Sequence, residues 1–236
     1  MNKPHAIAAS RALRVATLLF TLACVCVQAR AQEPQARLQS LLELSTAVPA
    51  TRLPTIKAWK LSQNTKVLFV ESHTLPMIDV QITFAAGSNQ DGDTPGLAAT
   101  VLSLFNEGST LKDANALAKG FDSLGVDLGN GIDKERSFFT LRSLSAPHIR
   151  EPAMQLFTEM LAQPGFTVEG QRRVKNELFT KLKINHEDPH ALARMQIYNE
   201  LYPGQPYTRS DFGSVESLER IDESHLRAFY RRAYTA

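Results

Sequence analysis

The chain has 236 residues, of which 26 are Lys or Arg and 24 are Asp or Glu, for a formal net charge of +2. So even a balance provides no basic field for a polyphosphate, and nucleic acid is not expected as a partner. Both cysteines, Cys24 and Cys26, stand near the N-terminus, which excludes a disulfide framework and a cysteine nucleophile for the rest of the chain.

Lys3, Arg11 and Arg14 precede a 13-residue apolar run, Val15 to Val27, and Ala29-Arg30-Ala31 follows it. This three-part pattern predicts an export signal over residues 1–31, cleaved after Ala31. The run falls short of the ~20 residues that span a bilayer, so no stable membrane anchor is expected. The mature chain is expected to cross the inner membrane and reside in the periplasm. Cleavage would remove four of the 26 basic residues and no acid, turning the net charge from +2 to −2. The basic excess belongs to the signal, and the 205 residues that remain suffice for one domain with a sizeable core.

Residues 32–58 read as a lead-in linker, with an amphipathic patch at Leu38, Leu41, Leu42 and Leu44 among Pro34, Pro49 and Pro54. Lys66 to Val70 and Met77 to Phe84 are rich in β-branched and apolar residues and predict two strands joined by a turn over Glu71 to Pro76. A glycine-marked turn at Gly96 then opens a helix in which Leu97, Val101, Leu104 and Phe105 recur at helical spacing. With Thr100 and Ser103 as the polar residues at its centre, this helix reads as core with no chemistry on it.

A second helix is predicted from Asp113, whose carboxylate suits a helix start, to Leu124, with Gly125 ending it. Val126 to Ile132 and Ser137 to Leu144 follow as a strand pair connected through Asp133-Lys134-Glu135-Arg136. Helical spacing then covers Ile149 to Ala162, Val168 to Ile184, Leu192 to Tyr202 and Glu223 to Tyr230, punctuated by Pro164-Gly165 and Asp188-Pro189. Together these predict an α+β fold, a mainly antiparallel sheet covered by helices.

His186-Glu187-Asp188-Pro189-His190 fits H-E-x-x-H, the zinc peptidase pattern that needs both histidines one turn apart on a single helix face. Pro189 clashes with the preceding turn and drives Asp188 toward an extended conformation. The run therefore reads as an Asp-Pro turn with solvated histidines, and His73, His148 and His225 as isolated surface residues. No G-x-S-x-G elbow, Walker loop or dinucleotide fingerprint is present. Glu177, in RRVKNELFTKL, reads as a solvated or salt-bridged helix acid. Gly129-Asn130-Gly131 makes a thin strand that could serve as an edge accepting another chain.

From Trp59 onward, the pieces WKLSQNTKVLFV, ITFAAGSNQD, TPGLAATVLSLFNEGS, ALAKGFDSLGVDLGNG and YPGQPYTRSDFGSVESLERIDESHLRAFYRRAYT occur in an order that resembles the pitrilysin/insulinase-like metallopeptidases, the inverzincins. The resemblance implies the two-layer domain of those metallohydrolases over residues 59–236, incomplete at its C-terminal end. Peptidases of that family carry H-x-x-E-H on the helix after the Gly-Leu-Ala turn, with two histidines and a later glutamate on zinc and the intervening glutamate as base. Aligned from Gly96-Leu97-Ala98 to Gly108, the histidine positions fall on Ala99 and Ser103 and the base position on Leu102. Glu177 alone matches the third-ligand position.

The resemblance thus implies a degenerate, non-catalytic member with no cofactor of its own, zinc belonging to catalytic relatives or to a partner. In that family such chains pair with a catalytic zinc-peptidase homologue as a heterodimer that encloses a peptide substrate. The substrate-binding edge reads Asn-Ala-aromatic in catalytic members and Gly129-Asn130-Gly131 here. A structural or interaction module without a protease partner is the alternative, and an active zinc peptidase built on His186 and His190 stands third.

Overall fold

The computed structural model describes residues 54–235; the expected export signal and most of the lead-in lie outside them. A compact unit begins at Thr55. Its first element, β1 (Ile56–Lys60), overlaps the end of the expected lead-in. It pairs antiparallel with β2 (Lys66–Val70), Ile56 opposite Val70 and Trp59 opposite Val67. Asn64, at φ 67°, turns the chain between them, a left-handed conformation that asparagine tolerates.

That pairing corrects one expectation. β2 and β3 (Met77–Phe84) are both strands, as predicted, but they do not form a hairpin. The short Leu61–Thr65 turn, closed by the Leu61 N–H donating to the Thr65 carbonyl at 2.9 Å, brings β2 back onto β1. The longer connection ending in Pro76 instead carries β3 to a second sheet.

The second sheet is entirely antiparallel in the order β3-β5-β4, from β4 (Asp127–Ile132) and β5 (Ser137–Leu144). β5 is central. Its Ser137, Phe139, Leu141 and Ser143 are buried and alternate with Phe138, Thr140, Arg142 and Leu144 on the other face, the period-two pattern of a sheet covered on one side. On the open face Arg142 grips Asp79 with two hydrogen bonds, 2.6 and 3.1 Å.

Among the described residues seven α-helices accompany the sheets. α1 (Leu97–Leu104) is buried at every residue except Ser103 and runs into a 3₁₀ turn, Phe105–Glu107. α2 (Ala114–Ser123) is capped by the Asp113 carboxylate, which accepts from the Ala116 N–H at 2.8 Å. α3 (Pro147–Ala162) and α4 (Val168–Glu187) follow. At Asp188 the chain breaks and restarts as α5 (Pro189–Leu201), with Pro189 in the first turn, where a missing N–H costs nothing.

α6 (Val215–Arg220) was not expected, and α7 (Glu223–Ala233) closes the described chain. α1 packs against α4, α7 and β4. Phe105 and Phe139, both fully buried, meet ring to ring at 4.9 Å, joining the helical layer to the central strand. No helix among the described residues is long and apolar enough to cross a membrane.

Candidate functional site

α1 owes its position to its N-terminus. Gly96, at φ 89°, makes the turn before it, and a Cβ there would come within 2.8 Å of the Phe212 carbonyl oxygen. The Asp91 carboxylate, on a residue only 5 % exposed, accepts hydrogen bonds from the Gly96 and Ala98 N–H groups, both at 2.7 Å. Thr100 returns its hydroxyl to the Gly96 carbonyl at 2.7 Å. The helix is therefore tied at its start to the segment before it and packed along its length.

On this helix Ala99 is 2 % and Leu102 5 % exposed, both within the hydrophobic core, and Ser103 is half-buried. Glu177 lies on α4, the helix against which α1 packs. Its side chain is exposed and its carboxylate is held by Lys181, one turn on, at 2.6 Å. The fold thus packs together the two helices that the resemblance aligns with metal-bearing ones, but the aligned positions supply no set of donors. A methyl group and a leucine side chain offer no lone pair, a lone serine hydroxyl is a poor zinc ligand, and the one carboxylate is engaged. Zinc does not fit these residues.

His186 and His190 do not replace it. His186 lies in the last turn of α4 and His190 in the first turn of α5, both exposed, with the break at Asp188 between them. The Asp188 carboxylate caps α5 by accepting from the His190 N–H at 3.0 Å. Among the described residues no group of three or more His, Cys, Asp or Glu side chains could hold a metal ion. His148 is exposed, while His73 and His225 each pair with a nearby acid, Glu71 at 3.0 Å and Asp222 at 2.8 Å.

The second candidate, Gly129-Asn130-Gly131, lies on β4. That strand has β5 on one side and, among the described residues, no strand on the other. Both glycines answer to their cross-strand neighbours. A Cβ at Gly131 would come within 2.4 Å of the Phe138 ring, and one at Gly129 within 2.7 Å of the Thr140 hydroxyl. Asn130 is exposed between them, opposite Phe139 in register.

Sequence reasoning missed Asp91. Nothing at the usual capping position marks it, because it reaches the helix from five residues ahead of Gly96. Burial pushes its carboxyl up to about 7, with Asp211 adding to the rise and the two N–H donors and Lys134 opposing it. The folded state therefore holds this proton to higher pH than the unfolded chain, whose carboxyl titrates near 3.8. Stability from Asp91 is complete below that value and lost as pH rises through about 7. Urea titrations between pH 4 and 8 should show a decline on the order of a few kcal/mol toward the higher pH, which Asp91→Asn flattens. Asp222, held down to about 2 by the Ser224 hydroxyl and the His225 N–H, acts in the opposite sense and at lower pH.

An antiparallel sheet lies under a helical layer, and among the described residues no group of side chains forms a metal-binding set. The family model described as Insulinase (Peptidase family M16) matches residues 66–213. The chain belongs to that family.

Among its relatives, a Helicobacter pylori protein named "Non-peptidase homolog YmxG" is 25 % identical over 169 residues, covering 71 % of this chain and 39 % of its own length. The crystal structure of a "peptidase M16 inactive domain" from Pseudomonas fluorescens is 39 % identical with a TM-score of 0.72, over 75 % of this chain and 43 % of that one. The first half of the periplasmic protease PqqL from Escherichia coli shares the fold at 16 % identity and a TM-score of 0.69, over 78 % of this chain and 41 % of that one. The α+β architecture expected from the sequence is thus that of the family. The chain spans about two fifths of the length of these relatives.

Proposed function

We propose that this chain is an exported, zinc-free unit of an insulinase-type peptidase, pairing with a homologue that carries an intact H-x-x-E-H. In this reading the catalytic partner supplies the metal and the base. This chain supplies part of the enclosing wall and, along β4, an edge on which a peptide can lie.

The observation that carries the reading is the state of α1 and α4. Their packing is retained, yet Ala99 and Leu102 are closed into the core and Glu177 is turned to Lys181. In this reading the fold serves something other than hydrolysis by this chain itself. Export rests on the basic start, short apolar run and small-residue end of residues 1–31.

Metal analysis of the purified chain should find well below one zinc per molecule, and co-purification with the H-x-x-E-H homologue of the same organism should recover a complex with zinc and peptidase activity. About one zinc per chain in the isolated protein, rising and falling with peptidase activity, would overturn the reading. Failure to recover any catalytic homologue would favour an interaction module that works without a protease.

A further inference from the structure

The segment from Gly204 to Gly213 connects α5 to α6, and the glycines at its two ends both stand at φ 75°, a conformation that other residues rarely adopt. Its own backbone hydrogen bonds are short-range: the Thr208, Arg209 and Gly213 N–H groups donate to the Gln205, Pro206 and Ser210 carbonyls at 3.1 to 3.2 Å. What fastens it is a polar cluster on the turn that leads into α1. The Ser88 hydroxyl and the Lys134 ammonium reach the Asp211 carboxylate at 2.5 and 2.8 Å, Lys134 donates to the Arg209 carbonyl at 2.6 Å, and the Arg209 guanidinium donates to the Gly92 carbonyl. At the far end a Cβ on Gly213 would collide with the Pro95 carbonyl, to which the Ser217 hydroxyl donates at 2.7 Å. The segment is a strap laid over the start of α1.

Asp91 lies where strap and turn meet. It accepts from the N–H of Gly96, the residue whose Cβ position faces the Phe212 carbonyl of the strap. The charged groups around it come from several elements: Asp211 and Arg209 from the strap, Lys134 and Glu135 from the turn between β4 and β5, Arg232 from α7, Lys181 from α4 and the exposed Asp93 from its own segment. Arg209 and Arg232 donate to the Gly92 and Gln90 carbonyls on either side of Asp91, Glu135 accepts from Asn89 at 2.7 Å, and Lys181 lies over the Phe212 ring at 5.6 Å. Asp211 and Lys134 are the two that act on Asp91 by charge. Since Lys134 is paired with Asp211, one cation serves two carboxylates.

We propose that the strap is a pH-sensitive latch: it closes over a protonated Asp91, and an ionised Asp91, set against Asp211 with Lys134 as their shared counter-ion, drives it to swing away on its glycine ends. A second buried anion without a cation of its own is costly, and admitting water relieves it. The strap is the part free to move, because α1 stays packed against α4, α7 and β4. With the strap closed the Asp91 carboxyl is held at about 7, and with it open the hydrated carboxyl returns toward 3.8. The closed form therefore binds the proton more tightly. Opening is least below 3.8, increases about tenfold per pH unit from there to about 7, and levels off above.

The test uses the full chain. Hydrogen exchange at Arg209 and Gly213, corrected for the intrinsic pH dependence of amide exchange, is compared with exchange at Phe139 and Leu141 in β5. The strap amides should exchange faster than those of β5 and without dependence on low urea, since their opening exposes little surface. Their protection should fall about tenfold per unit from pH 5 to 7 and hold steady from 7 to 8. Asp91→Asn should abolish that fall and keep the strap closed at pH 8.

Strap and β5 amides sharing one rate and one urea dependence would overturn the proposal, because the strap would then part only when the whole domain does. Strap protection that stays constant between pH 5 and 7, or that still falls in Asp91→Asn, would overturn it as well. Should that variant fail to fold, the carbon resonance of the Asp91 carboxyl in the unmodified chain decides: a midpoint near 7 that tracks the loss of strap protection supports the latch, and a midpoint near 4 excludes it.

Discussion

Leu102→Glu is expected to unfold this protein, not to restore a catalytic base. The substitution puts a carboxylate at the position that the resemblance aligns with the family's glutamate, but the leucine side chain is 5 % exposed and packed within the core. α1 is held against α4, α7 and β4, so the new carboxylate has no simple route to water. Burying an ionised carboxylate without a partner costs several kcal/mol or forces the group to hold its proton. Against a typical total stability of about 5–15 kcal/mol, that is enough to abolish folding at neutral pH. Equilibrium urea denaturation should show the midpoint collapsing at pH 7 and partly recovering near pH 4, where the group is protonated. An unchanged midpoint would mean that the face of α1 bearing Leu102 opens to solvent, and that the space for a metal has been kept.

The second large effect is expected at Phe105. Its ring is fully buried and lies 4.9 Å from Phe139, 5.0 Å from Tyr234 and 6.0 Å from Tyr230. It thus joins the turn after α1 to the central strand and to α7. Tyr234 is itself set by burial, which drives its hydroxyl well above the usual tyrosine range, and by a hydrogen bond from the Ser137 hydroxyl at 3.1 Å. Phe105→Ala should cost about 3–5 kcal/mol, because it removes apolar area and leaves a cavity among rigid rings. Near-ultraviolet circular dichroism should lose intensity from the tyrosines that border the cavity. A loss below about 1 kcal/mol would show that the neighbouring rings close the gap, contrary to their interlocked packing.

Much of this fold could be read from local patterns. The alternation in SFFTLRSL, the turn Asp133-Lys134-Glu135-Arg136 and the Asp113 start of α2 each reflect interactions within a few residues, and each is found where the spacing puts it. Pro189 predicted the break between α4 and α5 for the same reason. Strand pairing is a different matter. Whether β2 turns back to β1 or forward to β3 depends on competition between two connections, and nothing within KVLFV decides it.

α6 escaped because six residues hold too little periodicity to separate from a loop. Asp91 escaped because its contact with α1 is made across a turn. The candidate site was legible only by resemblance. Alanine and leucine in a buried helix carry no local mark of chemistry, and only the spacing from Gly96 to Gly108 aligns Ala99, Leu102 and Ser103 with the ligand and base positions of the family pattern.

The separation of the two sheets has a consequence for how the molecule moves. Among the described residues β1 and β2 pair only with each other, and their Ile56, Trp59, Leu68, Phe69 and Val70 are largely exposed. Opening the hairpin therefore sacrifices little beyond its own five residue pairs. β5, by contrast, is paired along both sides and buried beneath α1 and the Phe105 ring. The protein thus has two levels of persistence: a hairpin that can part and re-form by itself, and a three-stranded sheet whose opening requires the whole domain to come apart.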